Sequence, residues 1–119
     1  MFRIFTIESP PLPQNVTKSV TFSLKEGQKF HIKEFIARAI EDYKSISALM
    51  TINHVQIKII DITRSQEWMN NLMYTNAFGE RVYMLKPYTI NYGDILQITF
   101  QTSLATNPTG VLYLIGELE

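Results

Sequence analysis

Acid–base and metal chemistry both need titratable side chains brought together, and this sequence offers two histidines and eleven carboxylates. His31 and His54 lie far apart, and neither has a carboxylate at ligand spacing. No H-x-H or H-x₃₋₄-E pattern occurs, so both read as surface histidines and no metal site is expected. Cysteine is absent, which removes disulfides, thiolate ligands and a cysteine nucleophile. The absence fits a reducing compartment.

Among the carboxylates, Asp61 ends a strongly alternating stretch and has Arg64 close behind it. That spacing reads as a local ion pair anchoring a loop. A glycosidase would need a second acid placed against the first, and the sequence identifies none. No G-x-S-x-G, P-loop or G-x-G-x-x-G motif is present. The expectation is a protein with no catalytic residues and no cofactor.

Binding chemistry is better supplied. Trp68, Met69, Tyr74, Phe78, Tyr83, Tyr88 and Tyr92 crowd one excursion of the chain, bracketed by alternating stretches near Val55 and Ile98. Aromatic residues and methionine mark protein interfaces. Aromatics beside Asn and Gln also stack sugar rings, and the same residues could simply plug the end of a β-sandwich. All three readings stay open. A second candidate surface is Ser9–Gln14, where Pro10, Pro11, Leu12 and Pro13 make a segment that prefers an extended form and cannot fully join a ladder. It reads as a connector, or as an arm crossing onto a neighbour.

These segments must be held by a fold, and bulk properties bound it. A chain of 119 residues suits one domain. Lys plus Arg balances Asp plus Glu at 11 each, which disfavours non-specific nucleic-acid binding. Charged residues make up 18%, below the usual quarter, as in small β domains or when a partner covers part of the surface. No apolar run is long enough for a membrane span or a signal peptide, and the N-V-T triplet at Asn15 is taken as coincidence.

Along the chain, Phe2–Glu8 is a strand candidate with apolar residues on both faces, suited either to cover on both faces within the fold or to packing on a neighbouring subunit. Asn15–Leu24 alternates, and Lys25–Gln28 is a turn with Gly27 free to take positive φ. For Lys29–Met50 the periodicity of Ile32, Phe35, Ile36, Ala39, Ile40 and Tyr43 favours a helix. A strand with a bulge near Glu34 is the competing reading. Thr51–Ile62 is a strong strand. Arg64–Met69 suits one helical turn stopped by Asn70-Asn71. Short strands are expected near Leu72–Gly79, over Arg81–Leu85 up to Lys86-Pro87, and over Tyr88–Ile90. Ile95–Thr102 alternates, Asn107–Gly110 is a turn, and Val111–Glu117 is an apolar run suited to a strand covered on both faces.

About eight strands without βαβ alternation predict an all-β, two-sheet antiparallel sandwich, a single jelly roll. It would occupy residues 1–119 as one domain, with residues 1–14 readable as an extended N-terminal arm.

The succession of landmarks carries a resemblance. KEGQKFHI is followed by VQIKIIDITRSQEWMNN, then NAFGE, MLKPYTI, YGDILQITF and LYLIGEL. This order, from Leu24 to Leu118, resembles small jelly-roll proteins of bacteriophage virions: capsid decoration, minor head and spike-base proteins. Ala37–Ala48 departs from the pattern. The resemblance favours strand for Phe30–Ala39, followed by a loop or short helical turn over Glu41–Ala48. It implies a structural virion component without catalysis, made in the host cytoplasm. Its partners would be other virion proteins, namely a major capsid protein or vertex components. It would also self-associate as a trimer or pentamer. The interface candidates are Pro10, Pro11, Leu12, Pro13, Trp68, Met69, Tyr74, Phe78 and Tyr83. A carbohydrate-binding jelly-roll module is the alternative.

Overall fold

A computed structural model describes residues 1–40, 55–74, 80–103, 105 and 107–119. Its strands are β1 (Phe2–Glu8), β2 (Lys18–Phe22), β3 (Lys29–Ile40), β4 (Val55–Asp61), β5 (Gln66–Tyr74), β6 (Glu80–Asn91), β7 (Leu96–Gln101) and β8 (Thr109–Leu118). They form two four-stranded sheets, ordered β1-β8-β3-β6 and β2-β7-β4-β5. β1 pairs with β8, β2 with β7, β3 with β6 and β4 with β5, each antiparallel. The chain is thus a nested set of hairpins rolled so that alternate pairs fall in opposite sheets, which is the jelly-roll topology. None of the described residues forms a helix long and apolar enough to cross a membrane.

Period-two alternation builds the inner faces. Val55, Ile57 and Ile59 of β4 and Leu96, Ile98 and Phe100 of β7 are fully buried. Ile57 lies opposite Phe100, and Ile59 opposite Ile98. The two sheets meet through an aromatic contact: Phe5 of β1 packs edge-on against Phe22 of β2 at 5.0 Å, and within its own sheet against Phe30 of β3 at 4.9 Å.

β3 resolves the helix-or-strand question in favour of the strand. Phe30 and Ile32 point inward, then the register shifts between Ile32 and Glu34, and Phe35, Ala37 and Ala39 point inward. The extra residue, Lys33, moves the buried set from even to odd positions. That switch spaces the successive buried positions 32 and 35 three residues apart, which imitates a helical stripe. Residues 41–54, including the rest of that stripe, the expected loop or turn, and His54, lie outside the described residues.

Two expectations are corrected. Arg64–Met69 does not form a helical turn: residues 62–65 turn, with Ser65 at φ 52°, and β5 begins at Gln66. Asn70-Asn71 does not stop it, because the register with β4 slips there, from Ile57↔Leu72 to Ile59↔Met69. A second slip, to Ile60↔Glu67, makes Trp68 an extra residue. Nor does Lys86-Pro87 break the chain into two strands. β6 runs through both, and its register with β3 jumps from Ile32↔Tyr88 to Glu34↔Tyr83. Proline is tolerated because β6 is an edge strand and residues 84–87 fall within the jump.

Gly116 of β8 faces this irregular part of β3. A Cβ there would lie 1.9 Å from the His31 carbonyl oxygen, so the two backbones approach as closely as glycine alone allows.

Candidate functional site

Three surfaces hold the residues that could act on something else. The first is a polar cluster at one end of the sandwich. Asp61, fully buried at the end of β4, accepts hydrogen bonds from the Arg64 backbone N–H at 3.2 Å, Arg64 Nη1 at 2.8 Å and the Tyr88 hydroxyl at 2.5 Å. Arg64 Nη2 also lies 3.0 Å from Asp94, whose carboxylate accepts the Asn91 N–H at 2.8 Å. Burial pushes the Asp61 carboxyl up, but the bonds from Tyr88 and Arg64 outweigh it and hold the group below the usual carboxylate range. Arg64 is held firmly protonated by its bonds to Asp61 and then Asp94. This bears out the local Asp61–Arg64 pair and extends it. The cluster joins the β4–β5 turn, β6 and the β6–β7 turn, where Gly93 takes φ 97°. Both oxygens of Asp61 serve as acceptors within the fold, so the geometry is that of a clamp.

The second surface is β1, at the edge of its sheet. Met1 and Leu118 exchange backbone bonds, and Ser9 N–H donates to Gly110 O at 2.9 Å. In an antiparallel ladder this sets the odd positions facing β8. The N–H and C=O groups of Phe2, Ile4, Thr6 and Glu8 therefore point away from it. No strand among the described residues pairs with that side. The side chains of the same set are apolar at Phe2, 63% exposed, and Ile4, 47% exposed.

The third surface is a groove of about 330 Å³ on the outer face of the other sheet, lined by Thr17, Gln56, Lys58, Ile60, Thr99 and Gln101.

The candidates named from the sequence are dispersed. Leu12 is fully buried in the core, its N–H donating to Pro108 O at 2.9 Å, while Pro10, Pro11 and Pro13 are exposed around it. Ser9 Oγ accepts the Gly110 N–H at 2.9 Å, so this segment is strapped to its own fold. Residues 2–8 form a sheet strand. Trp68, Met69 and Tyr74 lie in β5 of one sheet and Tyr83 in β6 of the other. The aromatic excursion is therefore divided between the sheets along its backbone, and Phe78 lies outside the described residues. His31 is half-buried, bonded to Thr89 Oγ1 at 2.7 Å and Glu119 Oε2 at 2.8 Å. No cluster of metal-ligating groups occurs among the described residues.

Phe2 and Ile4 are not among the residues named from the sequence, although two-sided apolar patterning marks their strand. The groove leaves no such mark, because outward polar residues on alternating strands read as an ordinary solvated face.

No family model and no curated protein sequence matches the chain. Among solved structures, it is similar to the NLP core of Drosophila (12% identity, TM-score 0.44, covering 96% of this chain and 98% of that one). It is also similar to the family 32 CBM of NanJ from C. perfringens (11% identity, TM-score 0.45, covering 94% and 93%). A third similarity is to the infectious bursal disease virus Gx strain structure (10% identity, TM-score 0.37, covering 99% of this chain and 39% of that one). At scores this low, the class of fold rests on the strand pairing described above, and no function passes from these proteins to this chain.

Proposed function

We propose that this protein is a non-enzymatic structural component of a bacteriophage virion, a capsid-associated decoration, minor capsid or vertex protein that acts by protein–protein assembly. The observation that carries the assembly role is the open edge of β1, which combines outward backbone donors and acceptors with exposed Phe2 and Ile4. Edge strands of this kind are templates for strand addition. A neighbouring copy or another virion protein would extend the sheet there and cover both apolar side chains, repeated by symmetry. The virion setting comes from the landmark order between Leu24 and Leu118. The Asp61 cluster supports the non-enzymatic reading, since its carboxylate is engaged in holding three chain segments together.

The test is co-sedimentation with purified empty phage capsids, using wild type and Ile4→Lys. The expected result is binding by the wild type that Ile4→Lys abolishes. Failure of the wild type to bind, or equal binding by both, overturns the proposal.

A further inference from the structure

The edge strands are β1 and β6 in one sheet and β2 and β5 in the other. β6, β5 and β2 are poor templates for strand pairing. β6 carries Pro87 within its register jump against β3. β5 slips twice against β4. β2 is short, and its half-buried Lys18 stands in register opposite the fully buried Phe100. Lys18 therefore shares the inward face of Val20 and Phe22, and an inward-pointing lysine blunts an edge. Among the described residues, β1 alone keeps an unbroken register over its whole length while turning a regular set of backbone groups outward. Within a second copy of this chain, the one regular edge that β1 can meet is β1 itself. β1 and β2 also lie on the same side of the sandwich, where Phe5 packs on Phe22. Phe5, Val20 and Phe22 are only partly buried there, so this wall holds apolar surface that a neighbour would cover.

The charges along β1 select a direction. Arg3 lies near one end and Glu8 at the other, both exposed. Arg3 reaches over the ring of Phe5 at 5.1 Å but, like Glu8, has no ion-pair partner among the described residues. Parallel pairing in register would set like charges side by side. Antiparallel pairing brings the Arg3 end of one copy to the Glu8 end of the other. The outward backbone groups belong to Phe2, Ile4, Thr6 and Glu8, and an antiparallel ladder joins members of this set in hydrogen-bonded pairs. The register that uses the whole strand sets Phe2 opposite Glu8 of the second copy, Ile4 opposite its Thr6, and Phe5 against Phe5. Each exposed Ile4 then lies diagonally beside the other, and Phe2 covers the aliphatic stem of Glu8. We infer, on the reading of β1 as the assembly edge, that its partner is a second copy of this chain, joined β1 to β1 in antiparallel register about a two-fold axis at Phe5. Such a contact is isologous and closes at two chains, with the β1-β8-β3-β6 sheet continuing across the pair.

The experiment combines the solution mass of the wild type with disulfide crosslinking. The sequence holds no cysteine, so introduced thiols report this contact alone. Ile4→Cys and Thr6→Cys, both at exposed positions, are oxidised separately and as an equimolar mixture. In the inferred register, Ile4 and Thr6 of opposite copies have Cα atoms about 5.5 Å apart, inside disulfide range. Ile4 and Ile4, or Thr6 and Thr6, are about 7–8 Å apart, outside it. Phe2→Cys mixed with Glu8→Cys repeats the test at the end of the ladder. The expected result is a two-chain mass for the wild type, crosslinked dimer in both mixtures, and none from any variant alone. A wild type that stays monomeric overturns the assembly reading of β1 and this pairing with it. A trimer, pentamer or open polymer whose mass Ile4→Lys lowers keeps the assembly reading and overturns the two-fold pairing. A dimer in which neither mixture crosslinks, or in which a variant crosslinks alone, overturns the antiparallel register.

Discussion

β1 and β6 are the two edges of one sheet, and they treat their edge position in opposite ways. β6 carries Pro87, which cannot donate, within a stretch where its register against β3 jumps. Both features blunt an edge against pairing. β1 carries neither: it runs in unbroken register with β8 from Phe2 to Glu8, and its outward positions expose Phe2 and Ile4. A protein that protects one edge and leaves the other flat and apolar has an edge available for a specific partner. Among the described residues, that asymmetry rather than any titratable cluster is what the proposed assembly role rests on.

The platform shared by both edges is β8 paired with β3, and Gly116→Ala should disturb the comparison most. Its added methyl meets the His31 backbone carbonyl, which cannot swing aside as a side chain could. The expected loss is about 3 kcal/mol, the upper end of overpacking costs. Denaturant unfolding followed by circular dichroism measures it.

Next in size is the tether on β6. Asp61→Asn removes the charge that Tyr88 and Arg64 surround. With Arg64 37% exposed, solvent softens the penalty to about 2 kcal/mol. The Asp61 carboxyl titrates below its ordinary value in the folded protein, so its contribution is complete above 3.8 and disappears as pH falls through the lower folded value. Wild-type stability should therefore drop on acidification below 3.8, and Asp61→Asn should flatten that part of the stability–pH curve.

Pro87→Thr tests the protected edge. It returns an N–H donor to β6, and the expected outcome is a small rise in concentration-dependent association with stability altered by less than about 1 kcal/mol. Light scattering over a dilution series would detect it. An unchanged mass would show that the register jump protects β6 without the proline.

How much of this was legible in the sequence follows the regularity of each strand. β4 and β7 were plain because Val55, Ile57, Ile59 and Leu96, Ile98, Phe100 alternate without interruption. β3 was ambiguous because Lys33 is an added residue that shifts the buried positions from even to odd. β5 and β6 were misread because Asn70-Asn71 and Lys86-Pro87 are local breakers. Here, register slips and an edge position absorb them, and tertiary pairing decides that. Leu12 looked like part of an arm because its burial depends on a partner loop at Pro108, far along the chain. The Asp61–Arg64 pair was visible from its spacing of three residues, whereas Tyr88 and Asp94 join it only through the fold. The groove could not be read, since concavity on a polar sheet face leaves no periodic trace.

The most direct test of the central claim is the solution mass of wild type and Ile4→Lys measured over the same concentration range. Ile4 is exposed, so the substitution should change stability by no more than about 0.5 kcal/mol while placing a charge on the open edge. The expected result is an oligomeric wild type and a folded, monomeric Ile4→Lys variant with unchanged circular dichroism. A wild type that stays monomeric throughout, or an oligomer whose mass Ile4→Lys does not change, would contradict it.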